Sequence, residues 1–103
     1  MTLNYKKLGD SGSTILILHG LLGSLDNWQT IAKQLAEKHQ VYIIDQRNHG
    51  RSPHTDEMNY EVLANDMVEF CAQQNITKAT IIGHSMGGKT AMLLTLQNSE
   101  LID

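Results

Sequence analysis

Lys78-Ala79-Thr80-Ile81-Ile82-Gly83-His84-Ser85-Met86-Gly87 is the stretch on which the reading of this chain turns. A short apolar strand over 78–82 runs directly into the pattern G-x-S-x-G, and a helix is expected to follow to about Asn98. Strand, tight turn and helix in that order hold a serine at strained backbone angles with its hydroxyl exposed above a sheet. The demand on the flanking positions is steric. A β-carbon at Gly83 or Gly87 would collide with the neighbouring strand or helix, so both sites need glycine. The helix start brings unpaired N–H groups and a positive dipole end beside Ser85. The Met86 amide would aim at the oxyanion formed when Ser85 attacks a carbonyl.

Upstream, Thr14-Ile15-Leu16-Ile17-Leu18 is a continuous apolar run of strand length, the pattern of a strand buried on both faces. It breaks into His19-Gly20-Leu21-Leu22-Gly23-Ser24. Gly20 and Gly23 would let this loop bend close to a substrate carbonyl, with the Leu21 amide as a second oxyanion donor and His19 as a residue that orders the loop. A helix follows, capped by Ser24, with Leu25, Trp28, Ile31, Ala32 and Leu35 on its apolar face. Val41-Tyr42-Ile43-Ile44 reads as another buried strand, and 45–58 as a polar loop. Asn59 caps a helix that buries Tyr60, Leu63, Ala64, Met67, Phe70 and Cys71. Residues 3–8 form a short strand, and Asp10-Ser11-Gly12-Ser13 a turn. Strands alternating with helices predict a mostly parallel sheet flanked by helices, with the chemistry at the carboxyl ends of the strands.

Other polar residues compete for a role. Gly83-His84-Ser85-Met86-Gly87-Gly88-Lys89-Thr90 also satisfies G-x-x-x-x-G-K-[ST], a phosphate-binding loop. That alternative leaves the His19-Gly20 loop without a purpose, and Asp45 lies upstream of the motif where a metal-binding acid normally lies downstream. Asp45-Gln46-Arg47-Asn48-His49-Gly50-Arg51-Ser52 reads as a hydrogen-bonded structural loop shaped by Asp45 and the arginines, with His49 as a lesser candidate for a catalytic base. His39 and His54 face solvent. Trp28 and Tyr60 read as packing residues rather than as substrate platforms. The five histidines and the single cysteine show no metal-ligand spacing, so no metal is expected.

Composition narrows the classes further. The chain has 103 residues, 41% hydrophobic and 18% charged, with a net charge of -3 and scattered lysines and arginines. Nucleic acid and anionic membranes are not expected partners. Cys71 alone cannot form an intrachain disulfide, which fits a reducing compartment. No segment has the length of a membrane span or a signal peptide, so the expected location is the cytoplasm.

Three motifs together resemble the α/β-hydrolases: Leu18 to Ser24, Asp45 to Pro53 and Gly83 to Thr90. The R-N-H-G-x-S-P and G-H-S-M-G-G-K forms are similar to the YbfF-type bacterial esterases and their mitochondrial animal relatives. The resemblance implies an esterase acting on small acyl esters or thioesters without a cofactor. It implies Ser85 as nucleophile, the amides of Leu21 and Met86 as oxyanion hole, and His19, Gly20, Gly83, His84 and Gly87 shaping the site. It also allows a mitochondrial location, although no transit peptide is seen. In this fold an acid and then a histidine follow the serine. After Ser85 the chain has only Glu100 and Asp103 as acids, and no histidine. Residues 1–103 are therefore expected to be the N-terminal half of an α/β-hydrolase fold, a partial domain without its later strands, nearly inactive alone and prone to self-association at an open sheet edge.

Overall fold

The computed structural model describes residues 1–103. Its sheet has four strands: β1 (Tyr5–Leu8), β2 (Thr14–Leu18), β3 (Gln40–Ile44) and β4 (Thr80–Gly83), ordered β1-β3-β2-β4. β2 pairs in parallel with both β3 and β4, and β1 closes one side antiparallel to β3. The sheet is thus mostly parallel, as the strand–helix alternation predicts. Leu18 is level with Ile44 on one side and Gly83 on the other. The three parallel strands therefore end together, and the loops at His19, Asp45 and His84 leave the same edge of the sheet.

Burial follows the period of two that a strand imposes. Leu16, Leu18, Tyr42 and Ile44 pack against Met67 and Phe70 of α2 (Tyr60–Gln73) and Leu94 of α3 (Met86–Gln97). Ile15, Ile17, Val41 and Ile43 face the other way, toward Leu25 and toward Ala32 of α1 (Gln29–Leu35). Both apolar runs are thus covered by helices on both faces.

The first helix departs from expectation. Leu25–Trp28 form a single 3₁₀ turn before α1 starts, because Trp28 at φ -114 and ψ 5 interrupts the α conformation. Ser24 does cap that turn, its hydroxyl accepting from the Asp26 amide while its own amide donates to Asn27 Oδ1. Ile31, expected on the buried face, is 44% exposed. Asn59 caps α2 as expected, accepting from the Val62 amide at 2.9 Å.

β4 lies at the sheet edge, so Ile81 and Ile82 are only half-buried where β2 is fully covered. The expectation of a wholly unpaired outer edge needs correction at one point. Ala79 donates to the Leu101 carbonyl and accepts from the Asp103 amide, both at 2.9 Å, so the last residues pair in parallel with the start of this edge. Beyond Ala79 the outer side of Thr80–Gly83 has no strand partner.

Candidate active site

Ser85 sits between β4 and α3 at φ 53 and ψ -113, a backbone conformation that costs an L-residue roughly 1–3 kcal/mol. Bonds on both sides hold it there: the His84 amide donates to Leu18 O, the Gly87 amide to His84 O and the Lys89 amide to Ser85 O. A β-carbon on Gly87 would lie 2.6 Å from His19 O and nearer still to Leu18 O. One on Gly83 would lie 2.7 Å from Gly88 Cα. The turn can close only because both positions lack side chains. The Ser85 side chain is exposed and bonds to no group of the chain.

This geometry excludes the phosphate-loop alternative. From Met86 onward the G-x-x-x-x-G-K-[ST] motif is α3, so no open run of amides surrounds an anion.

The second loop approaches from the end of β2. The Gly23 amide donates to Gly20 O at 3.0 Å, and Leu22 takes the left-handed conformation at φ 64. The positive φ therefore falls on a leucine and not on either glycine. Gly20 serves a different purpose, since a β-carbon there would stand 2.7 Å from the His84 ring. The amides of Leu21 and Met86 donate to no carbonyl of the chain.

A buried polar network joins the two loops. His19 Nε2 accepts from the Gln46 amide at 3.0 Å, so its ring proton sits on Nδ1, which donates to Gly20 O at 2.8 Å. Burial lowers the His19 pKa, and the nearby His49 ring adds to this against the Gly20 bond, which raises it. The Gln46 side chain donates to His19 O at 2.9 Å and accepts from Thr90 Oγ1 at 3.1 Å. Thr90 Oγ1 also lies 3.0 Å from Met86 O, in the first turn of α3. Gln46 and Thr90 each lie in a motif of the sequence, but nothing in either motif pairs the two. What joins them is tertiary placement: Gln46 lies two residues beyond the end of β3, bonded to His19 just past β2, and Thr90 reaches it from α3.

The Asp45–Ser52 loop supports this edge from behind. Asp45 accepts from the amides of Leu25 and Arg51 and from the Asn4 side chain. Burial opposes its ionisation, but these bonds outweigh that and hold its pKa below the usual range. Arg47 forms a two-pronged pair with Asp66 at 2.7 and 2.8 Å, and that bond raises its pKa against the effect of burial. His49 is buried, with Nδ1 on Arg47 O, and lines no cavity at Ser85.

Two cavities meet at Ser85. One, of about 470 Å³, is walled by Leu22, Asn27, Trp28, Ile31 and His84. The other, of about 370 Å³, is walled by Met58, Tyr60, Leu63, Met86 and Lys89. Ser85 and Leu21 line both. The expectation that Trp28 and Tyr60 are packing residues is therefore incomplete. Trp28 still packs on the core beneath α1, yet its other side borders the first cavity, 6.2 Å from the His84 ring. Tyr60 is 38% exposed in the second. Helical spacing identified their inward side and was silent about the strand-end side.

A level parallel sheet with a glycine-flanked serine at positive φ between strand and helix defines the α/β-hydrolase class of protein. Residues 13–103 match the family described as alpha/beta hydrolase fold, and the chain belongs to that family. It is 48% identical over 93 residues to esterase YbfF of Escherichia coli (strain K12), covering 90% of this chain and 37% of that protein. It is 47% identical over 94 residues to the sn-1-specific diacylglycerol lipase ABHD11 of Xenopus laevis, covering 89% of this chain and 30% of that one. Among solved structures, a marine microorganism esterase superposes with a TM-score of 0.97 at 54% identity, over 98% of this chain and 39% of the other. An enol-lactonase from Burkholderia xenovorans LB400 gives 0.94 at 26% identity, over 98% and 40%. The chain spans about a third of the length of these curated relatives. No helix is long and apolar enough to cross a membrane.

Proposed function

We propose that Ser85 is the nucleophile of a hydrolase acting on carboxylic esters or thioesters, with the amides of Leu21 and Met86 as its oxyanion hole. His19, Gly20, Gly83, His84 and Gly87 shape that site. The observation that supports this most is the backbone of Ser85, which turns an exposed hydroxyl toward the junction of two cavities. A general base takes the Oγ proton as oxygen attacks the acyl carbonyl, and the two amides stabilise the tetrahedral oxyanion. The leaving alcohol or thiol departs with a proton. Water, deprotonated by the same base, then releases the acid from the acyl-enzyme.

In this reading the base lies outside these residues, and the exposed His84 shapes the site. His19 and His49 are committed to main-chain carbonyls, and residues 86–103 hold no histidine. Residues 1–103 form a partial domain in this reading, and further strands of the fold supply the acid and the histidine. The isolated polypeptide is then nearly inactive. With p-nitrophenyl acetate it turns over at close to the buffer rate, while slow acetylation appears on Ser85 by mass spectrometry and is absent in Ser85→Ala. Turnover at an ordinary enzymatic rate, abolished by Ser85→Ala, overturns the inactivity. Acetylation on another residue overturns the nucleophile.

A second reading, partner binding without catalysis, draws on the outer edge of β4. Beside it, Met92 and Leu96 on α3 are 67% and 81% exposed over a groove of about 460 Å³. Self-association there is expected to show as concentration-dependent sedimentation, reduced by Leu96→Lys.

A further inference from the structure

We infer that the cavity beneath Tyr60 is an anion subsite, and that Lys89 selects esters carrying a carboxylate on the substituent that enters it. The inference rests on the proposal that Ser85 is the nucleophile. A carbonyl at Ser85 with its oxygen toward Leu21 and Met86 has two substituents, the acyl chain and the leaving group. The two cavities that share Ser85 and Leu21 are where those substituents extend.

The two differ in charge. The larger is walled by leucine, isoleucine, tryptophan, glycine and asparagine, with His84 its one ionisable side chain. The smaller contains Lys89, the only lysine, arginine or acid lining either cavity. Lys89 is exposed and belongs to none of the chain's ion pairs, which join Arg47 to Glu57 and Asp66, and Met1 to Glu69. Its ammonium lies 5.8 Å from the centre of the Tyr60 ring, a contact that holds it over this cavity without neutralising it. Lys89 also stands in the first turn of α3, where the helix dipole adds to the positive potential. An uncompensated cation on the wall of a cavity beside the reacting carbonyl favours an anionic substituent there. This also gives Lys89 a purpose that the rejected phosphate-loop motif left open.

The test uses a matched pair of phosphonate probes that differ only in a terminal carboxylate against a methyl ester, in two versions. One version has the tail on the group retained by serine, the other on the leaving group. Ser85 labelling is read by mass spectrometry in wild type, Lys89→Gln and Lys89→Arg. The carboxylate probe of one version is expected to react about five-fold faster than its neutral partner at low salt. The preference disappears in Lys89→Gln, persists in Lys89→Arg and weakens as salt rises. The version showing it identifies which substituent enters the cavity. Equal rates for both pairs in wild type, or an equal slowing of charged and neutral probes by Lys89→Gln, overturn the subsite. Equilibrium binding of unreactive amide analogues to Ser85→Ala, followed through the emission of Trp28, separates the subsite from the nucleophile. If no probe labels Ser85 yet the carboxylate analogue binds Ser85→Ala more tightly in a Lys89-dependent way, the subsite stands and the nucleophile falls. If that binding shows no charge preference, the subsite falls whatever Ser85 does.

Discussion

Replacing Thr90 by valine isolates the bond that ties the serine turn, through Gln46, to the His19–Ser24 loop. The two side chains have nearly the same shape, so the change removes a hydroxyl and leaves no cavity. Thr90 is fully buried, and Gln46 is 2% exposed. The Thr90 hydroxyl has one proton and two acceptors, Gln46 Oε1 at 3.1 Å and Met86 O at 3.0 Å. Without it, Gln46 Oε1 loses its only donor in a place that water does not reach, which costs roughly 1–3 kcal/mol. For a domain of this size, about 2 kcal/mol lowers Tm by about 8–15 °C. Thr90→Ser retains the hydroxyl and loses one methyl, worth about 0.8 kcal/mol, so it should melt well above Thr90→Val. Urea denaturation of Thr90→Val, Gln46→Leu and the double variant completes the test. Because the two side chains serve each other, the double variant should lose at least ~0.5 kcal/mol less than the two single losses together. Strict additivity, or a Tm for Thr90→Val equal to wild type, means that the hydroxyl does not bridge the loops.

Four further outcomes follow from the same geometry. Gly87→Ala places a methyl against the carbonyls of Leu18 and His19, so α3 must withdraw from β2; a loss of about 1–3 kcal/mol in urea denaturation is expected, together with slower Ser85 labelling. The folded-state pKa of His19 lies below the ordinary 6.5, so the unfolded chain binds the extra proton; stability from this group is complete above 6.5 and falls as pH drops through the folded-state value, a step that His19→Gln should remove from a pH series of denaturation midpoints. Asp45 repeats this pattern lower down, its contribution present above 3.8 and lost as pH falls through its lowered value, so Asp45→Asn should flatten the acid limb. Asp66→Ala leaves a buried guanidinium without its partner and should cost about 3 kcal/mol by the same denaturation assay.

The fold was legible where one local rule decided the outcome. Ile15 to Leu18 and Val41 to Ile44 are apolar without a break, as a strand covered on both faces requires, and the two clusters on opposite faces bear this out. Asn59 before an apolar face was sufficient to start α2. The errors arose where two elements meet. Spacing placed Leu25 to Leu35 on one continuous helix, but Trp28 must satisfy both the core beneath α1 and the wall of a cavity, and the helix breaks there. An open edge at β4 was expected and is found over Thr80–Gly83; what residues 78–82 do not encode is the pairing of Ala79 with the last residues.

The candidate site divides along the same line. Gly83 and Gly87 could be interpreted from the chain alone because their requirement is local: each lies within reach of backbone a few residues away or on the adjoining strand. The Gln46–Thr90 link could not, since its residues are far apart in sequence and belong to two different motifs whose spacing says nothing of a contact between them. What brings them together is the level ending of β2, β3 and β4, which sets three loops side by side. This register explains how residues 1–103 bring the two proposed oxyanion donors side by side. Leu21 is carried by the loop after β2 and Met86 by the helix after β4, and these two strands are direct neighbours. Their relative height is fixed by main-chain pairing within β2 and β4, and their separation by Gly87 against Leu18. Strands added beyond β4 would contribute groups to this arrangement without having to build it, so the amides of Leu21 and Met86 should keep their relative position in a longer chain.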